Sequence, residues 1–388
     1  MKKVLLRAPL LTLSGYGIHS RQVYRWLESR LDIDLTCQVL SWGNTSWLID
    51  SNIEDGMIGR IMSHSRPFEG KFDVTFQLQL PDEWDATLGD VNVGMSAMVE
   101  TDRCSPTWIE NVNKMDLIIV PSNHAKSVIE NSGNVLTDIA VVPEWFNQQI
   151  LKESSDSVLT NVHTDFNFLS VAQFTGDGPS DRKNTLNLVK WFCESFADSK
   201  DIGLILKANM GKSTRIDRQL TKSSLMSLIC QVRKGPYPKI HLVHGNLSQS
   251  EMASIYASDK VKCFLSITRG EGYGLPLVDA AAAGVPVIAT NWSGHLDFLN
   301  MGKFIPISYN LVDIPDSRID NRIFFKGFRW ADPLEDDFKI KVKKFRKQPE
   351  LPKEWAAEMS KKIRERYCEE SIMRMYDDIY DNLFKEKN

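Results

Sequence analysis

Two carboxylates, Glu271 and Asp279, stand eight residues apart in the run Thr268 to Thr290, TRGEGYGLPLVDAAAAGVPVIAT. The apolar run Cys263 to Thr268 ahead of them reads as a buried strand feeding a glycine-rich loop. Pro276 suits the first position of a helix, so one should open there. Gly272 and Gly274 let the backbone approach a ligand with no Cβ in the way, and Tyr273 and Leu275 sit between and after them. The open N–H groups of a helix start, helped by the helix dipole, attract an anion. Asp279 would lie about one turn, roughly 5 Å, inside that helix. Helical side chains lean toward the N-terminus, so this carboxylate should aim back at the anion. An acid in the loop and an acid on the helix can then hold hydroxyls on two sides of a diphosphate, which is the shape of a nucleotide-sugar.

These residues need strands and helices to carry them, and the chain supplies both in alternation. Strands are expected at Val4–Ala8, Leu35–Leu40, Val74–Leu80, Val91–Met98, Leu117–Pro121 and Ile139–Pro143, with helices at Ile18–Ser29, Thr107–Met115 and Asn123–Asn131, the last capped by Ser122. The polar stretch Leu151 to Asp165 reads as a linker. The pattern then restarts, with strands at Phe168–Gln173, Gly203–Ala208, Ile240–His244, Cys263–Thr268, Val285–Thr290 and Phe304–Ile307. Ser248 with Glu251 forms a capping box for a helix over Glu251–Ala257. Three helices should close the chain, Leu334–Arg346, Lys353–Tyr367 and Ser371–Phe384. The reading is an α/β protein of two doubly wound, Rossmann-like domains, residues 1–150 and 166–370, with a linker at 151–165. Such domains present ligands at the carboxyl ends of their strands, and two of them would face each other across a cleft.

Composition narrows the class. At 388 residues, 42% hydrophobic and 25% charged, the chain is an ordinary globular protein with room for two cores. No apolar run approaches the roughly 18 to 20 residues of a membrane span. The N-terminus MKKVLLRAPLL is interrupted by Arg7 and reads as a first strand rather than a leader. Six scattered cysteines suggest no disulfide framework and no zinc site, which fits a reducing, cytoplasmic compartment. Residues 1–150 hold 12 Lys and Arg against 19 Asp and Glu, which argues against a polyanionic partner for that half. Several motifs lead nowhere. Gly211-Lys212-Ser213 resembles a P-loop ending, but Leu206 stands where its first glycine belongs. Asp32-Ile33-Asp34 reads as a solvated strand start, His64 lacks companions at metal spacing, and the basic run Lys339 to Lys347 reads as a solvated helix face. No metal and no cofactor is expected.

The Glu271 to Asp279 segment, followed by the small residues Ala280 to Gly284 and the strand PVIAT, resembles the E-x7-E motif of GT-B glycosyltransferases of family 4, here as E-x7-D. The resemblance implies that Glu271 contacts the transferred sugar and Asp279 the nucleotide ribose, Asp being one methylene shorter than the usual Glu. Val99 to Ser122, VETDRCSPTWIENVNKMDLIIVPS, is similar to an E-T-D-x-x-P segment of the same family, which places Glu100 and Asp102 at the site. Asp181-Arg182-Lys183-Asn184 matches the family's basic segment, with Lys183 as the diphosphate lysine. Where many members carry Arg after the preceding strand this chain has Gln173, and Lys207 is expected to supply the charge, with Arg182 a solvated surface residue. Ser14-Gly15-Tyr16-Gly17 looks like the family's glycine loop, so Gly15 and Gly17 join the donor site, as does Asn246 in the loop that touches the base. The family's last helix crosses back onto the first domain, a role for residues 371–388.

The implied activity is transfer of a sugar from a nucleotide-diphosphate sugar to an acceptor hydroxyl with retention of configuration and without metal. A departing nucleoside diphosphate demands cationic or N–H stabilisation, for which Lys183, Lys207 and the helix start are the candidates. Trp42 and Trp47, after the second strand, can stack on an acceptor ring. The expected acceptor is a saccharide or glycolipid, with the protein cytoplasmic and peripheral at a membrane where the acceptor is lipid-linked. The alternative is a phage-type enzyme acting on hydroxymethylated bases in DNA, in the host cytoplasm, which would require base flipping and a basic track. A nucleotide-sugar-binding protein without catalysis is the reading from another class.

Overall fold

The computed structural model describes residues 1–152, 158–174 and 178–383. The chain divides into two compact units, Met1–Trp145 with Glu369–Asn388, and Phe146–Cys368.

The first unit is built on six parallel strands, β1 (Lys2–Ala8), β2 (Ile33–Val39), β3 (Phe72–Leu78), β4 (Gly89–Met95), β5 (Leu117–Val120) and β6 (Ile139–Val141), in the order β2-β1-β3-β4-β5-β6. Helices α1 (Gly15–Glu28), α2 (Met57–His64), α3 (Pro106–Val112) and α4 (Asn123–Glu130) connect them. The β1–β3 interior is Val4, Leu6, Val74 and Phe76, residues that fill a sheet covered on both faces. Ser14 caps α1 through the Gly17 N–H, and Ser122 caps α4 through the Ala125 N–H. Helix α2 was not expected. It opens on Gly56 at φ 79° with no side-chain cap, so it lacks the usual start signal and is held by burial of Met57, Ile58 and Ile61. The C-terminal helix Glu369–Asn382 buries Ile372, Tyr376 and Tyr380 in this unit's core, where Trp26 stacks on Tyr376 at 4.8 Å. The end of the helix expected over 371–388, from residue 384 on, lies outside the described residues.

The second unit repeats the plan with β7 (Phe166–Gln173), β8 (Ile202–Asn209), β9 (Lys239–Val243), β10 (Val261–Ser266), β11 (Val287–Thr290) and β12 (Ile305–Ile307), ordered β12-β11-β10-β7-β8-β9 and parallel throughout. Its helices are α5 (Thr185–Ser195), α6 (Arg215–Val232), α7 (Gln249–Ala257), α8 (Leu275–Ala282), α9 (Leu296–Leu299), α10 (Glu335–Lys347) and α11 (Glu350–Arg366). The capping box of Ser248 and Glu251 is present at α7. Helix α10 buries Phe338, Val342 and Phe345 and leaves Ile340 outside. An antiparallel ribbon, β13 (Tyr309–Asp313) and β14 (Arg329–Pro333), was not expected. It carries its own small core of Ile314, Phe324, Phe328 and Trp330.

The polar stretch taken for a linker is not one where the structure describes it. Leu159 and Val162 are buried in the second unit's core, and the division between units falls at Trp145 and Phe146. Residues 153–157 of that stretch lie outside the described residues. A few well-placed apolar side chains outweighed the local polarity.

Candidate active site

The strand β10, its following loop and α8 bring the central motif together inside the second unit. Helix α8 opens one residue earlier than expected, with Leu275 first and Pro276 second, on a Gly274 cap at φ 107°. That backbone conformation requires glycine, and a Cβ there would also press on His295 at 3.2 Å. Among the described residues the amides of Gly274 and Leu275 donate to no backbone carbonyl, so the helix start keeps open N–H groups.

Glu271 is 8% exposed and fully committed. Lys183 Nζ donates to both carboxylate oxygens, at 2.7 and 2.9 Å, and Arg182 Nη1 lies 3.4 Å from one of them. The Glu271 N–H donates to Ser293 Oγ at 2.9 Å, and its carbonyl accepts from the Gly294 N–H at 2.9 Å. Burial alone would raise this carboxyl's pKa, but Lys183 and Arg182 draw it down to about 2. Glu271 is therefore an acceptor at any physiological pH and never a proton donor. His295, completely buried, donates from Nε2 to the Thr290 carbonyl at 2.7 Å, and burial holds its pKa below the ordinary value. A pocket opens at this point, lined among others by Ser170, Val171, Ala172, Lys183, Glu271 and Pro276.

Arg182 corrects the sequence reading. Its side chain is 14% exposed, not solvated, and Nη1 donates to the Gly270 carbonyl at 2.7 Å. Sequence reasoning also passed over Arg269, Ser293 and His295, which hold the Glu271 loop from both sides. The only available signal was their proximity to the motif.

Asp279 does not join Glu271. Its Oδ1 accepts the Asn147 N–H at 2.8 Å, which fastens the start of the second unit's chain to α8. Burial pushes this carboxyl up to about 7, against the opposing effect of that hydrogen bond. The Tyr256 hydroxyl, buried and without a hydrogen-bond partner among the described residues, lies within the electrostatic reach of Asp279, and burial and that charge raise its pKa. Lys207 lies two residues before the end of β8, half-buried, its Nζ donating to the Gly245 carbonyl at 2.8 Å. Burial holds its pKa below the ordinary lysine value, and among the described residues no carboxylate pairs with it. Asn246 is exposed beside it and bonded to Ser213 Oγ. The Gly211-Lys212-Ser213 segment is thus part of the loop into α6, where Asp217 accepts His244 Nε2 at 2.6 Å. The Tyr273 ring is buried against Phe298 at 5.3 Å.

In the first unit the glycine loop, the tryptophans and the acids of residues 100–102 cluster after β1, β2 and β4. Tyr16 stacks on Trp42 at 3.9 Å, and its hydroxyl bonds Ser96 Oγ at 2.9 Å and accepts the Ala97 N–H at 3.0 Å. Burial raises the Tyr16 pKa, and the charge of Glu100 adds to the rise. Glu100 and Asp102 are partly buried; Thr101 Oγ1 turns to the Arg103 carbonyl. Trp47 is 45% exposed, whereas Trp42 has one face covered by Tyr16. Gly15 is exposed at the start of α1. Gly17 has a packing reason to be glycine, since a Cβ there would stand 2.0 Å from the Thr12 carbonyl oxygen. Among the motifs set aside, Asp32 pairs with Arg30 at 3.0 Å, Asp34 with Arg66, and His64 Nδ1 bonds the Tyr24 hydroxyl.

Two six-stranded parallel sheets, each flanked by helices, match the fold of GT-B glycosyltransferases. Residues 222–361, which hold that loop and helix, match the family of glycosyl transferases group 1. The chain is 32% identical over 131 residues to a probable sucrose-phosphate synthase of Solanum tuberosum, a match covering 31% of this chain and 12% of that protein. Its fold is similar to that of a glycosyltransferase from Rickettsia africae, with a TM-score of 0.69, 13% identity and 99% of each chain covered. It is similar as well to Anabaena HepE solved in complex with UDP and glucose, with a TM-score of 0.65, 11% identity, 98% of this chain and 100% of that one. No helix among the described residues is long and apolar enough to cross a membrane.

Proposed function

We propose that the chain is a glycosyltransferase that moves a sugar from a nucleotide-diphosphate sugar to the hydroxyl of a saccharide or glycolipid, with retention and without a metal or cofactor. The observation that carries this reading is the Glu271 carboxylate, ionised and clamped by Lys183 in a pocket beside the open amides of α8. An anionic acceptor suits the hydroxyls of a donor sugar, and Lys183, once a diphosphate arrives, has a second anion to serve. Lys207 is a desolvated cation with no carboxylate partner among the described residues, and a phosphate would satisfy it. Together with the α8 amides, the two lysines would take up negative charge as the glycosidic bond to phosphate breaks. A Glu271 with a pKa of about 2 cannot protonate a leaving group, so departure relies on this charge stabilisation, and the leaving phosphate itself would receive the proton of the attacking hydroxyl. Asp279, titrating near 7, can accept or donate to ribose hydroxyls. In the first unit Trp47, Trp42, Glu100 and Asp102 are the acceptor candidates.

The test is a screen of UDP-, GDP- and ADP-sugars for nucleotide release, with and without EDTA, offering oligosaccharides and hydroxymethylcytosine DNA in parallel. Release that survives EDTA and transfer to a saccharide are expected. Transfer to DNA alone would replace the acceptor assignment, and release that stops with EDTA would replace the mechanism.

A further inference from the structure

The loop of Glu271 and the loop of Lys183 are sewn to each other, and the thread is Arg269. Its backbone N–H donates to the Arg182 carbonyl at 2.9 Å, and its Nη1 donates to the Asp181 carbonyl. Arg182 returns the connection through the Gly270 carbonyl. On the far side Arg269 faces the unexpected ribbon: Nη2 and Nε reach Asp332 Oδ1 at 3.1 and 3.3 Å, the Arg269 carbonyl accepts the Ala331 N–H at 3.0 Å, and the guanidinium lies over the Trp330 ring at 5.7 Å. The Arg269 side chain is 5% exposed, so these partners, not water, satisfy its guanidinium, while the Asp332 side chain is 45% exposed and packs little. The ribbon touches the site a second time. Trp292 packs on the ribbon's aromatic core, and the next residue, Ser293, receives the Glu271 N–H.

We infer that Asp332, acting through Arg269, is a positioning residue that fixes Glu271 and Lys183 against each other, and that the β13–β14 ribbon is the brace of the donor-sugar site. This rests on the proposed function for its chemistry, but not for its geometry. The physical requirement is preorganisation: two charged groups on separate loops act on one ligand only if the loops keep their spacing, and a displacement near 1 Å can cost on the order of a hundredfold in rate. Arg269 needs a carboxylate to stay where it is, because a buried guanidinium left with neutral partners moves toward water. Asp332 meets that need from the rim, where it can be altered with little effect on packing.

The experiment compares wild type with Asp332→Asn, Asp332→Glu, Arg269→Met and the double variant D332N/R269M. Three quantities are read: donor turnover, calorimetric affinity for the bare nucleoside diphosphate, and hydrogen exchange of the 268–274 amides without ligand. Asp332→Asn should lower turnover about tenfold and speed exchange of those amides, while diphosphate affinity changes less than about threefold, since that ligand has no sugar for Glu271 to hold. Asp332→Glu should recover most of the loss. Adding D332N to R269M should cost nothing further in exchange or turnover, because Asp332 acts only through Arg269. Wild-type turnover and exchange in Asp332→Asn, or losses that add in the double variant, overturn the inference. A wild type that binds no nucleoside diphosphate overturns the functional reading instead, and the exchange measurement still decides the brace.

Discussion

Asp279 offers the sharpest separation of stability from function. Its carboxyl titrates near 7, against an ordinary value near 3.8 for an unfolded chain. Below about pH 4 the group is protonated in both states and contributes no difference. Between 4 and 7 the unfolded chain ionises while the folded one keeps its proton, so this group makes the protein less stable as pH rises. Above 7 the full cost is reached: about three decades at about 1.4 kcal/mol each give roughly 4 kcal/mol, and partial contact with solvent trims this to about 2 to 3. Asp279→Asn keeps an oxygen for the Asn147 N–H and removes the charge. The variant should therefore be more stable than wild type by about 2 to 3 kcal/mol at pH 8, with the gap closing steadily toward pH 5. Urea denaturation followed by tryptophan fluorescence at pH 5, 6, 7 and 8 measures it. If the nucleotide ribose uses this carboxylate, the stabilised variant should bind the nucleoside diphosphate more weakly, the trade common where a site holds a costly group. A gap that does not depend on pH, or a variant less stable at pH 8, would refute the desolvation argument.

Glu271→Gln should abolish turnover with a variant that still folds, at a stability cost of about 1 to 3 kcal/mol from the uncompensated Lys183 and Arg182; turnover and a melting curve on one preparation check both. Lys207→Met should weaken nucleoside diphosphate binding by about 1.5 to 3 kcal/mol in calorimetry and leave the melting temperature unchanged or higher, because it removes a desolvated cation. Gly17→Ala should cost about 1 to 3 kcal/mol or more of stability, read by denaturant midpoint, as its Cβ collides with the Thr12 carbonyl and α1 must shift.

The alternation of strands and helices was legible in the sequence, because fully covered parallel strands must be short apolar runs and their connections must be helices. The sequence pointed to Glu271 and the glycine-capped helix start, since a glycine at a positive φ and a proline in the first turn leave local marks, and to Lys183 only through the family resemblance. It failed where the mark is not local. The stretch around Leu159 and Val162 is polar on average, yet two apolar side chains find a core. Helix α6 buries Asp217, Thr221, Leu225 and Ile229, a four-residue spacing half made of polar residues, so its inner face does not read as apolar. Which charges meet is set by the folded chain. Lys183 lies 88 residues from Glu271 and Asp332 lies 63 from Arg269, and nothing in either neighbourhood announces the other. Side chains that pair across loops are chosen by the return paths of the chain over the sheet. The two acids of the motif, eight residues apart in one short segment, therefore serve different partners, Glu271 the lysine of a distant loop and Asp279 the backbone of Asn147.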